Sequence, residues 1–126
     1  MKYLLDSDIL MDFFKKKEES VSLMAKLINK GELSTSILSV TELRAGWNKE
    51  QAKFFLQRLY QLIGIENVTK EVAELAGEFR FEYKSKGIIL PAIDSLIAAT
   101  AILGNFQLVT RNKKDFPMKR LKLYPL

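Results

Sequence analysis

KYLLDSDILMDFF, residues 2–14, decides the fold. Residues 2–5 are a short apolar run that stops at a carboxylate, Asp6, and the run reads as a buried strand. Ser7 can cap a helix that extends through Phe14. A strand that hands an acid to the start of a helix is the repeating unit of an α/β protein, and the rest of the chain keeps the alternation.

Residues 15–19 form a charged connection. Ser20 can cap a second helix whose apolar face is Val21, Met24, Ala25, Leu27 and Ile28, closed by Gly31. Residues 33–38 fit a second strand. Ser39, Val40, Thr41 and Glu42 then spell S-x-x-E, a capping box that opens a helix toward Trp47. A further helix is expected over residues 49–62 and a third strand over 63–68. Thr69 caps a long helix in which Val72, Leu75, Ala76, Phe79 and Tyr83 recur at helical spacing, ending at Gly87. Pro91 suits the first turn of the next helix, which carries Ile93, Leu96, Ile97, Thr100 and Ala101 and stops at Gly104. Residues 106–109 make a fourth strand and residues 121–124 a possible fifth. The expected architecture is an α/β domain with a mainly parallel sheet covered on both faces. One domain spanning residues 1–126 is expected, with no repeat, linker or low-complexity tract.

Composition narrows the chemistry. The chain has 126 residues, no His and no Cys. A Ser-His-Asp triad, a Cys nucleophile and the usual zinc sites are therefore excluded. Four carboxylates, Asp6, Glu42, Asp94 and Asp115, lie beside Ser, Thr, Asn or Pro at the ends of apolar runs. Clustered carboxylates favour hard cations such as Mg²⁺ or Mn²⁺, which serve phosphoryl transfer and phosphodiester hydrolysis. The net charge of +5 and pI near 9.4 favour a polyanionic partner, nucleic acid or acidic protein. A metal-dependent nuclease is the reading these features give. No apolar run approaches the roughly 20 residues that span a bilayer, and Asp6, Asp8 and Asp12 interrupt the N-terminal stretch in a way that spoils a signal peptide. A cytoplasmic location is expected.

Ligands of α/β folds gather beyond the carboxyl ends of strands, where strand order reverses. Asp6 and Thr110 fall at such ends, and Glu42 and Asp94 are expected in the first turns of helices. In order and spacing, the segments YLLDSDIL (3–10), SVTELRAG (39–46), LPAIDSLIAATA (90–101) and LVTRNKKDF (108–116) resemble the motifs of PIN domains, above all the VapC-type toxin ribonucleases. The resemblance covers essentially the whole chain. It implies a three-layer α/β/α fold, and it implies catalytic and metal-ligating roles for Asp6, Glu42, Asp94 and Asp115. Thr110 and Asn112 match the hydroxyl and amide positions of the last motif, and Ser7 the small hydroxyl residue after the first acid. Asp8 departs from the pattern, which often has Asn there. The resemblance further implies Mg²⁺- or Mn²⁺-dependent endoribonuclease activity leaving a 3′-hydroxyl and a 5′-phosphate, a cognate VapB-like antitoxin, and a homodimer.

Simpler roles compete at several of these positions. A capping box accounts for Glu42 without any metal. Asp6 and Asp94 can complement helix dipoles, as can Asp8, while Asp115 can be a solvated acid beside Lys113 and Lys114. Thr110 and Asn112 can satisfy turn backbone, and Ser7 can be only a cap. Arg111, Lys113 and Lys114 are candidate RNA contacts within a basic C-terminal portion that also holds Lys119, Arg120 and Lys122. Lys15, Lys16 and Lys17 read better as ordinary solvated surface. Phe54, Phe55, Leu59 and Leu62 read as core, with any surplus apolar surface available to a partner. A receiver-type phosphoacceptor domain and a PIN-fold RNA-binding module are the alternative functions.

Overall fold

The computed structural model describes residues Met1–Leu126. Four parallel strands form one sheet in the order β3-β2-β1-β4, with β1 at Lys2–Leu5, β2 at Glu32–Ser36, β3 at Gly64–Glu66 and β4 at Gln107–Val109. The helices α1 (Ser7–Phe14), α2 (Glu18–Ile28), α3 (Ile37–Ala45), α4 (Lys49–Leu62), α5 (Lys70–Ser85) and α6 (Ala92–Leu103) connect them. Residues Lys113–Asp115 form a single 3-10 turn after β4.

Alternation along β1 builds the layers. Tyr3 and Leu5 pack into one apolar cluster with Ile9, Leu10, Met24, Leu27, Leu43, Trp47 and Leu59. Leu4 points the other way, into a second cluster with the buried faces of α5 and α6 and with Phe106, Phe116 and Met118. A sheet covered on both faces is what a parallel sheet requires, and the three-layer α/β/α expectation is met. Leu5 pairs with Val109, and both are buried. Because side chains alternate, a one-residue slip of β1 would drive Asp6 into this apolar layer, where an uncompensated charge is strongly disfavoured, so the register is firmly set.

Several boundaries differ from expectation. Asp6, not Ser7, caps α1, its carboxylate accepting from the Ser7 amide. The second helix starts at Glu18 rather than at a Ser20 cap, and Ser20 is fully buried inside it. β2 ends at Ser36, two residues early, because the Ser36 hydroxyl accepts from the Leu38 amide and starts α3 there. The Ser39 capping box does not form. The Ser39 hydroxyl is buried in the helix interior without a hydrogen-bond partner, and Glu42 falls in the second turn of α3. α4 carries its own capping box, between Asn48 and Gln51, and Thr69 caps α5 as expected. Gly87 closes α5 with φ of +79°, a conformation costly for any other residue. The third strand is shorter than residues 63–68, and Pro91 is the residue before α6. No fifth strand forms: residues 121–124 contribute one isolated parallel bridge, Leu108 to Leu123.

Candidate active site

Strand order reverses at β1, which has β2 on one side and β4, the last strand in sequence, on the other. The carboxyl ends of β1 and β4 therefore frame the crevice where α/β folds bind ligands. Asp6 and Thr110 are the residues that follow those ends.

Asp6 is 6% exposed, and both of its oxygens are held. Oδ1 accepts from the Ser7 amide at 2.8 Å, and Oδ2 accepts from the buried Thr110 hydroxyl at 2.8 Å. Thr110 Oγ1 accepts in turn from the Asn112 amide at 3.0 Å, which leaves its own proton directed at Asp6. Asn112 thus acts through its backbone, while its side chain is exposed. The Ser7 hydroxyl, freed from capping, donates to Oε1 of the exposed Glu42 at 3.1 Å and draws α3 toward the end of β1.

Electrostatics tie the remaining acids to this pair. Burial raises the Asp6 pKa from 3.8 to about 6, and the charges of Asp8 and Glu42 push the same way against the opposing hydrogen bonds from Thr110 and Ser7. Asp94, half-buried as the third residue of α6, is also raised, first by desolvation and then by the charges of Asp115 and Glu42. Glu42 is felt at both Asp6 and Asp94, so three acids from β1, α3 and α6 share one region. Asp115 stands exposed at its edge on the 3-10 turn. These acids approach without closing: no three carboxylates form a ready-made cation cage. Like charges in one region hold apart, and a divalent cation removes that repulsion. An all-oxygen donor set that includes a buried, destabilised carboxylate fits a hard cation.

The supporting positions behave differently from one another. Asp8 accepts from the Ile9 amide through Oδ1 at 2.7 Å and from the Arg111 amide through Oδ2 at 2.9 Å. The Arg111 guanidinium, a candidate RNA contact, pairs with Asp12 and donates to the Ser20 hydroxyl at 2.8 Å. Lys113 is half-buried and Lys114 exposed, and neither is ion-paired. Sequence reading missed Asp12 and Ser20. One signal was present for Asp12, which stands four residues after Asp8 on the same face of α1.

The PIN domain family matches residues 3–122. Ribonuclease VapC19 of Mycobacterium tuberculosis is 34% identical over 116 residues, covering 91% of this chain and 92% of that protein. Ribonuclease VapC1 of Methanocaldococcus jannaschii is 30% identical over 125 residues, covering 99% and 85%. Among solved structures, the VapBC2 complex of Rickettsia felis bound to a DNA fragment from its promoter superposes with a TM-score of 0.87 at 28% identity, covering 98% of each chain. The chain belongs to the PIN domain family. Its strand order also separates it from the receiver-type alternative, whose flavodoxin-like sheet runs 2-1-3-4-5.

Proposed function

We propose that the chain is a Mg²⁺- or Mn²⁺-dependent endoribonuclease, acting in the cytoplasm as the toxin of a VapBC-like toxin–antitoxin pair. The observation that supports this most is the pair of raised carboxylates, Asp6 and Asp94, that share Glu42 where strand order reverses. Asp6, Glu42 and Asp94 would hold the cation, with Asp115 at the edge. A cation held by these residues would supply charge to polarise the scissile phosphate and to lower the pKa of the attacking water. The chain's own part is to aim the ligands. Thr110 and the Ser7 amide fix the plane of the Asp6 carboxylate, and Ser7 orients Glu42. Lys113 and Lys114 supply positive charge for the RNA backbone beside the acids.

Incubating the purified protein with RNA in Mg²⁺ or Mn²⁺ should give fragments with 5′-phosphates, and EDTA should abolish their formation. EDTA-resistant cleavage or 2′,3′-cyclic phosphate ends would overturn the mechanism. Metal-independent RNA binding without cleavage would favour the RNA-binding module.

The antitoxin reading draws on relatives solved as toxin–antitoxin complexes and on a groove of about 570 Å³ lined by Phe13, Phe14, Val21, Phe54, Phe55 and Leu62. Lys16 and Arg58 rim it, and no acidic residue lines it. Phe54, 52% exposed, was expected in the core and instead forms part of the groove wall. An amphipathic, acidic antitoxin segment fits such a surface. Phe54→Glu should weaken antitoxin binding while RNA cleavage by the free toxin persists, and unchanged binding would move the interface elsewhere. A homodimer is part of the same reading, checked by light scattering.

A further inference from the structure

We propose that Arg111 is a positioning residue, whose contacts with Asp8, Asp12 and Ser20 lock the loop after β4 onto α1 and α2 and so hold the Thr110 hydroxyl on Asp6. The inference rests on the metal-dependent reading above only for the consequence of the lock, since the lock itself is geometry.

Three links meet at Arg111. Its amide donates to Asp8 Oδ2, and its guanidinium engages Asp12 on α1 and the fully buried Ser20 on α2. Asp12 also pairs through its other oxygen with Lys17 at 3.2 Å, so its two oxygens are divided between Lys17 and Arg111. The neighbours of Arg111 in sequence are Thr110 and Asn112, and these build the hydroxyl relay to Asp6. A side chain fixed to two helices therefore fixes the residues that set the Asp6 carboxylate plane.

The same geometry explains why Asp stands at position 8. Each Asp8 oxygen accepts a different amide, one from Ile9 and one from Arg111. Asn has a single acceptor oxygen and can satisfy only one of them. The extra charge raises the Asp6 pKa, and the link to the loop is what the chain gains in return.

The test compares Arg111→Met, Arg111→Lys and Asp8→Asn with the wild type. Amide exchange over residues 110–112, Mn²⁺ affinity by calorimetry without RNA, melting temperature, and the salt dependence of RNA binding are measured on each. Arg111→Met should speed exchange of the amides at position 111 and Asn112, which donate to Asp8 and Thr110, and weaken Mn²⁺ binding by about tenfold, with the salt slope unchanged. Arg111→Lys, which keeps the charge but loses the forked donor, should fall between. Asp8→Asn should expose the Arg111 amide to faster exchange. Wild-type exchange and Mn²⁺ affinity in Arg111→Met, with a salt slope lower by about 0.7, would make Arg111 a phosphate ligand and overturn the proposal. A lowered melting temperature with wild-type Mn²⁺ affinity would reduce the contacts to plain structural ones and overturn it too. Should the wild type bind no Mn²⁺, the ribonuclease reading fails, while unaltered exchange at residues 110–112 in Arg111→Met would separately sink the lock.

Discussion

The Ser7 hydroxyl donates to Oε1 of Glu42 at 3.1 Å, joining α1 to α3 across 35 residues of sequence. The capping explanation for Glu42 fails separately, because the cap of α3 is Ser36 and Glu42 lies beyond the first turn. Its charge acts on Asp6 and Asp94 instead.

Glu42→Gln should therefore melt near the wild-type temperature, since the exposed amide still accepts from Ser7 and exposed substitutions usually stay within about 0.5 kcal/mol. Metal-supported RNA cleavage should be lost, because a neutral amide is a poor ligand for a hard cation. Calorimetric melting and a cleavage assay at limiting Mn²⁺ decide it. Wild-type turnover would take Glu42 out of the ligand set.

Asp94→Asn should abolish cleavage and leave the fold intact. Burial and the charges of Asp115 and Glu42 disfavour its carboxylate, so the near-isosteric amide relieves repulsion in the cation-free protein. The expected melting temperature is equal to or above that of the wild type. A folded Asp94→Asn protein that still cleaves RNA would remove Asp94 from the reaction.

Local signals in the sequence were easiest to read where one residue had one role. Thr69 caps α5, and the apolar spacing from Val72 to Tyr83 is its buried face. The β2–α3 junction was harder, because Ser39 fits a cap by its S-x-x-E spacing and Ile37 and Leu38 fit strand or helix; the hydroxyl that accepts from an α3 amide is that of Ser36. Ser20 illustrates a different limit. Its hydroxyl looked like a cap, but it serves Arg111, 91 residues away. The acids were legible one by one as punctuation after apolar runs, and their order matched a family pattern. That Arg111 pairs with Asp12 was not legible, since pairing over 99 residues depends on strand order, which the chain does not spell out.

Replacing Lys113 and Lys114 with Ala should lower RNA affinity and flatten its salt dependence, by about 0.7 in slope for each phosphate that is no longer neutralised. Neither lysine is ion-paired, so no internal bond is broken. Cleavage at saturating RNA should survive. Affinities measured across a salt series test this, and an unchanged slope would assign both lysines to ordinary solvated surface.

Asp6 sets the sign of the pH response. Its pKa rises from 3.8 to about 6 on folding, chiefly because burial disfavours the charged form. The folded state then binds the proton more tightly than the unfolded one, so the cation-free protein should gain stability as pH falls from neutrality through 6 toward 3.8. The full gain is on the order of 3 kcal/mol and is complete below 3.8, where the side chain is protonated in both states. A divalent cation binds only the carboxylate, so Mn²⁺ should stabilise the protein near neutrality and lose that effect as pH falls through about 6. Urea midpoints in EDTA, near neutrality and near pH ~5, measure the first effect in the wild type and in Asp6→Asn. Asn keeps an acceptor for the Ser7 amide but has no charge to titrate, so its midpoint should vary less with pH. A wild-type midpoint that does not rise on acidification, or an Asp6→Asn protein with the same pH dependence, would show that the buried carboxylate is not the group being relieved.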